Sequence, residues 1–290
     1  LAHNYEVPAI QDIAHHVGDS LALSRIAAEA EQSTIIFCGV HFMAETAKIL
    51  NPGKIVLLPD LEAGCSLAEA CPADKLAEWK AAHPEHFVIT YINSTAATKA
   101  LSDVICTSSN AAKIIARAPA DRPILFAPDR NLGAHLMKQT GRQMDCWPGT
   151  CMVHVTFSER QLLALRAKHP RAAFIAHPEC EQQILRHADF IGSTKKLLEF
   201  VIEDPRTEFI VGTESGILHT MAKAAPGKVL IQAPVENQGG CVACSSCPHM
   251  KRITLEKVYL SLRDLEPRIE LDEDLRKAAL VPLERMLAWS

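Results

Sequence analysis

Hydrophobic and polar positions along the chain fall into two alternating patterns. Short apolar runs of strand length, such as Ile35-Ile36-Phe37-Cys38-Gly39-Val40, precede stretches whose apolar residues return every three or four positions, as on one face of a helix. The succession occurs three times. Each round opens on an apolar strand ending in a polar tripeptide: Leu1-Ala2-His3-Asn4-Tyr5, Val88-Ile89-Thr90-Tyr91-Ile92-Asn93 and Phe174-Ile175-Ala176-His177-Pro178-Glu179. The key positions His3, Tyr91 and His177 are 88 and 86 residues apart. A helix start lies 17 residues beyond each, at Ser20, Ser108 and Thr194, the last preceded by Ser193. A second strand is predicted near residues 34–40, 124–128 and 208–212, and a second helix near 43–50, 132–140 and 217–225. A third strand is predicted at 54–58 and 228–231, and weakly at 142–146. A final helix over 272–287 follows Leu265-Glu266-Pro267.

Strands alternating with helices imply parallel sheets joined by helical crossovers. The expected fold is therefore α/β, with three pseudo-threefold-related, three-layer α/β/α units around a central site. Residues 1–86 form the first unit, N-terminally incomplete, 87–172 the second, and 173–266 the third, which carries a Cys-rich loop; 267–290 form the C-terminal helix. In open parallel sheets, ligands sit beyond the carboxyl ends of the strands. The three tripeptides belong at that edge, as do Ser20, Ser108 and Thr194, whose helix starts offer free N–H groups to anions. Each hydroxyl alone reads as ordinary N-capping; three at matched positions point to a shared anion pocket.

Composition narrows the partners. Among 290 residues the net charge is −4 with both signs interspersed, so no electrostatic footprint for nucleic acid or an anionic membrane is present. The longest apolar runs are far short of a membrane span, and no secretion signal is visible. Ten cysteines without an export signal indicate a reducing, cytoplasmic setting in which clustered cysteines serve metals. The opening Leu1 sits inside a strand, which implies a preceding segment. His15-His16 has no ligand partner on its helix face and reads as surface, while Phe42 and Met43 read as core.

The cysteines follow the repeat. Cys65 lies 62 residues after His3 and Cys151 lies 60 after Tyr91, each in a loop opened by glycine. The third copy reaches Gly240-Cys241-Val242-Ala243-Cys244-Ser245-Ser246-Cys247-Pro248, with its cysteines 64 to 70 residues after His177. A Cys-x2-Cys-x2-Cys-Pro run is half of a bacterial iron–sulfur ligand set. Three converging loops could hold a four-iron cluster with one open iron, acting as a Lewis acid. A zinc with three thiolates, or a redox pair Cys241/Cys244, is the competing chemistry. Cys38 and Cys106 read as core, and Cys71, Cys146 and Cys180 have no counterparts in the other copies.

Taken together, Leu1-Ala2-His3-Asn4-Tyr5, Tyr91-Ile92-Asn93-Ser94, Cys106-Thr107-Ser108-Ser109-Asn110, His177-Pro178-Glu179-Cys180, Gly192-Ser193-Thr194 and Cys247-Pro248-His249-Met250-Lys251 resemble the quinolinate synthase family over nearly the whole chain. The resemblance implies three α/β units around one [4Fe–4S] cluster. It implies condensation of iminoaspartate (iminosuccinate) with dihydroxyacetone phosphate to quinolinate, phosphate and water in NAD biosynthesis, with L-aspartate oxidase as a source of iminoaspartate. The cluster ligands it implies are Cys65, Cys151 and Cys247. Repeat offsets alone favour Cys241, whereas the family's third ligand precedes proline, which selects Cys247. The implied substrate pocket comprises His3, Tyr5, Ser20, Tyr91, Ile92, Asn93, Ser108, His177, Pro178, Glu179, Ser193 and Thr194. Glu179 is the expected main acid/base, assisted by Tyr5 and His3. A different class of function, a non-enzymatic iron–sulfur redox sensor switched by Cys241/Cys244, would call for an effector or nucleic-acid surface that the sequence does not display.

Overall fold

A computed structural model describes residues 1–236 and 245–290. Twelve strands are named among these residues: β1 (Ala2–His3), β2 (Val17–Gly18), β3 (Thr34–Ile36), β4 (Ile55–Leu57), β5 (Phe87–Tyr91), β6 (Val104–Cys106), β7 (Ile124–Ala127), β8 (Asp145–Cys146), β9 (Ala173–Ala176), β10 (Phe190–Ile191), β11 (Glu208–Gly212) and β12 (Val229–Gln232). The second and third sets form four-stranded parallel sheets in the orders β6-β5-β7-β8 and β10-β9-β11-β12. In the first set β1 pairs with β2 and β3 with β4, and a parallel bridge from Ala2 to Cys38 joins the two pairs. The resulting order, β2-β1-β3-β4, is the same in all three.

Each sheet is covered on both faces, as residue alternation along a strand requires. In the third sheet, Ala173, Ile175, Phe209 and Val211 face one side, against Leu197 and Val201 of the helix Thr194–Glu203 and against Ile217 and Met221 of Ile217–Ala224. Phe174, Ala176 and Ile210 face the other, against Leu162 of Glu159–Lys168 and Ile184 of Gln182–Leu185. In the second sheet, Val88, Leu125 and Ala127 meet Leu76 of the helix Ala73–Ala82. The C-terminal helix Glu273–Trp289 seals the core that the first two sheets share, through Ala279, Leu283 and Met286.

The main predicted elements appear close to their predicted bounds, except that Ser108, expected at a helix start, lies in a turn, and its helix runs from Ala111 to Arg117 behind an Asn110 N-cap. The middle third strand is shorter than predicted, beginning at Asp145. The preceding helix Arg130–Thr140 ends at Gly141 in the left-handed conformation (φ 71°), and residues 142–144 serve as the connection. Pattern reading also missed the edge strands β2, β6 and β10, too short to show a period, and three ten-residue helices. These are Ala73–Ala82, Glu159–Lys168 and Leu255–Asp264. Each begins eight residues after a cysteine, namely Cys65, Cys151 and Cys247. Counted from this side, Cys247 is the third copy of the cysteine position, and the six extra residues that favoured Cys241 lie upstream of it. Cys241 and Cys244 fall outside the described residues.

Candidate active site

The three strand ends converge on one cavity with an empty volume of about 720 Å³, its open mouth included. His3 and His177 end their strands alike. In each, Nδ1 accepts a backbone N–H two residues on, from Tyr5 at 3.2 Å and from Glu179 at 3.4 Å. That bond leaves the imidazole proton on Nε2. Burial lowers both rings, His3 to about 4 and His177 to about 3, so both are neutral near pH 7. Nε2 of His177 lies 3.3 Å from the Ser108 hydroxyl.

Glu179 is buried at the centre. Its Oε1 accepts the Tyr91 hydroxyl at 2.7 Å, and its Oε2 lies 2.9 Å from His154 Nδ1. Burial alone would raise the carboxyl; the neighbouring imidazoles, His154 foremost, and the Tyr91 hydroxyl outweigh it and hold Glu179 at about 2. Burial raises Tyr5 and Tyr91 well above the ordinary tyrosine value, so both keep their protons. The contacts continue from His154 Nε2 to Thr213 at 2.9 Å, from Thr213 to Tyr5 at 2.7 Å, and from Tyr5 to Thr194 at 2.9 Å. One polar chain, Tyr91–Glu179–His154–Thr213–Tyr5–Thr194, thus runs through all three copies.

The cysteine loops share one local geometry. The sulfur of Cys65 accepts N–H bonds from Leu67 and Ala68, that of Cys151 from Val153 and His154, and that of Cys247 from His249 and Met250. In every case the donors are two and three residues on, an arrangement that favours thiolate. Burial pushes the metal-free thiols up, Cys65 to about 12. Residues just beyond strand ends hold two of the loops. Glu214, just beyond β11, accepts from the Cys247 N–H at 2.9 Å and pairs with Lys251 at 2.9 Å. Asp129, just beyond β7, accepts from Leu132 N–H at 2.7 Å, and the next residue, Arg130, donates its N–H to the Gly149 carbonyl of the Cys151 loop at 2.9 Å. A Cβ on Gly149 would come 2.5 Å from the Pro128 carbonyl, so only glycine fits as this loop presses on the strand end.

Of the residues singled out in the sequence, His3, Tyr5, Ser20, Tyr91, Asn93, Ser108, His177, Glu179, Thr194, Cys65, Cys151 and Cys247 line this one cavity. Ile92, Pro178 and Ser193 do not. The Ile92 carbonyl faces away to the buried Lys99 at 3.0 Å, Pro178 is buried behind the wall, and Ser193 spends its hydroxyl on capping its helix and contacting Ser109. Phe42 and Met43, read as core, are buried yet line the cavity. Sequence reasoning missed His154, Thr213, Asp129 and Glu214. His154 carried a signal, standing three residues after Cys151 where the other copies have Ala68 and Met250.

Three thiols in matched backbone cradles, facing one buried polar cavity, fit a cluster held by three cysteines with room left for substrate. Donor atoms of Cys151, His154 and Glu179 also lie within 4.8 Å of one another, close enough to hold a metal ion. No helix among the described residues is long and apolar enough to cross a membrane.

Comparison with known proteins identifies the family. The family model described as quinolinate synthetase A protein (NadA) matches residues 1–288. The quinolinate synthase of Thermosynechococcus vestitus is 59% identical over 290 residues, all of this chain and 90% of the relative. Those of Synechocystis sp. and Nostoc sp. are 58% and 56% identical over the same 290 residues, covering 90% and 89% of the relatives.

Proposed function

The chain belongs to the quinolinate synthase family, enzymes that catalyse a condensation in NAD biosynthesis, and on that premise we propose that its cavity joins iminoaspartate to dihydroxyacetone phosphate. The products are quinolinate, phosphate and water. The observation that carries the reading is the placing of three identically cradled cysteines on the cavity that holds the Tyr91–Glu179–His154 contact. Cys65, Cys151 and Cys247 would hold a [4Fe–4S] cluster. When bound, a cluster with an open iron supplies a Lewis acid for a substrate nitrogen or a leaving hydroxyl.

The protein's own groups supply binding and proton transfer. Both substrates are small anions; Ser20 and Thr194 present hydroxyls at helix starts to them, and Ser108 presents its hydroxyl from the turn before Ala111–Arg117. Neutral His3 and His177 offer Nε2–H donors, and Asn93 has a buried Oδ1 without a partner, free to accept from a substrate N–H or O–H. Glu179, ionised and hydrogen-bonded to Tyr91, is placed to take a proton from substrate carbon or nitrogen as the ring closes. Tyr5 and Tyr91 keep protons that can be donated to a departing phosphate or hydroxyl. An L-aspartate oxidase is a fitting source of the unstable imine, in a cytoplasmic setting that keeps the cysteines reduced.

The test is quinolinate formation by anaerobically reconstituted protein. About four irons and four sulfides per chain are expected, with activity lost in the Ser variants of Cys65, Cys151 and Cys247. Stoichiometric zinc without labile sulfide, or full iron content in Cys247→Ser, overturns the reading of the ligands.

A further inference from the structure

A second cavity backs onto the first. It has an empty volume of about 620 Å³ and is bordered by Arg25, Lys113, Lys195 and Lys196. Only a thin wall separates the two. Ser20, Ser108 and Thr194 line the inner cavity, whereas their chain neighbours Ser109 and Ser193 line the outer one, and Asp19 lines both. These three outer residues form a row centred on Ser109, with one member from each copy. The Ser109 hydroxyl lies 2.7 Å from Asp19 Oδ2 and 2.9 Å from Ser193 Oγ.

The charges around the outer cavity are four cations against the carboxylates of Asp19 and Glu199. A different cavity also abuts the inner one, sharing Phe42, Gly64 and Cys65 with it, and its ionisable border is His41 with Glu45, Glu62 and Glu69. For an anion the two approaches differ in sign. Local potential of the right sign raises association rates by ~10- to 10³-fold.

We propose that the cavity bounded by Arg25, Lys113, Lys195 and Lys196 is the docking vestibule for the anionic substrates and product, with the Asp19–Ser109–Ser193 row as the partition they cross. The vestibule rests on the reading of the inner cavity as the site of small dicarboxylate and phosphate ligands. The row is held by hydrogen bonds alone. Separating Ser109 from Ser193 parts the second copy from the third and connects the two spaces.

The test uses the holoenzyme immobilised on a sensor surface and quinolinate as probe. Replacing Arg25, Lys113, Lys195 and Lys196 together by Gln alters only exposed side chains. The association rate should fall about tenfold at low ionic strength. The gap should close in 1 M salt, where the screening length drops to ~3 Å. Glu62→Gln, at the acidic approach, should leave the rate as it is. Ser109→Ala should speed association and dissociation together, leaving the Kd near its native value, as for a partition and not for a binding group. A native rate and salt dependence in the fourfold variant, or unchanged rates in Ser109→Ala, overturns the vestibule. Turnover by the native holoenzyme tests the reaction separately, so the two readings fail independently.

Discussion

Glu179 illustrates how a single residue takes its chemistry from its surroundings. A carboxyl this deep would ordinarily be neutral; the His154 and Tyr91 contacts keep it ionised and ready to accept a proton. Glu179→Gln preserves the shape and the cysteine cradles but removes the proposed base. Turnover is expected to fall ~10²- to 10⁴-fold with iron content unchanged; an unimpaired rate at full iron content removes Glu179 from the mechanism. Glu6 is the opposite case. Both of its carboxylate oxygens are buried without partners, and burial, aided by nearby Glu214 and opposed by Lys251, raises it to about 8. Its folded value lies above its unfolded one of 4.5, so the stability it contributes is full below about pH 4.5 and is lost as pH rises through 8. Glu6→Gln does not titrate. The variant should gain on the native protein by up to about 1.4 kcal/mol per pH unit across that window, read from urea midpoints of the metal-free proteins. A pH-independent difference would show that Glu6 is solvated or paired. The sequence marked Glu179 through its tripeptide, but nothing near Glu6 distinguishes it from a surface glutamate. Its burial depends on Lys251 and Glu214, more than 200 residues away, being folded against it.

At the scale of an element, the cysteine loop is the unit that recurs. A thiol accepts two N–H groups at the next turn, and a ten-residue helix starts eight residues on. Strand periodicity and matched spacing made the sheets legible, because burial on both faces writes an apolar run into each central strand. The loops carry no such period, so counting forward from His177 pointed to Cys241, whereas the family resemblance pointed to the cysteine before proline, Cys247, and counting back from the following helix gives that same residue. Gly149 tests the loop directly. Gly149→Ala places a methyl 2.5 Å from the Pro128 carbonyl, an atom of rigid backbone beside β7. The Cys151 loop must shift, at a cost of about 1–3 kcal/mol. Iron content after reconstitution should drop together with the unfolding midpoint. Native iron content in this variant would mean that the loop adapts without moving the sulfur.

At the scale of the whole molecule, the apolar cores divide the protein unevenly. The first and second sheets share one core with the C-terminal helix, to which Met250, Ile253 and Val258 also belong. The third sheet has its own cores on its two faces. What joins it to the rest is largely polar. Gln11 donates to the Gly216 carbonyl at 2.9 Å, His219 meets Asp12 at 2.8 Å, and Tyr5 reaches Thr194 and Thr213. Polar seams open at lower cost than shared apolar cores, and motions that admit ligands draw on the least stable contacts. The active cavity lies on this seam, as does the Ser109–Ser193 contact, so rocking of the third sheet against the other two would open both at once. Quinolinate bound in the cavity should close the seam. Amide exchange should then slow around residues 6–11 and 216–220 while the helix Glu273–Trp289, anchored by Leu283 in the shared core, exchanges as before. If exchange slows equally in both regions, the molecule tightens as one body, and the ligand must instead pass by local rearrangement at the Asp19–Ser109–Ser193 row.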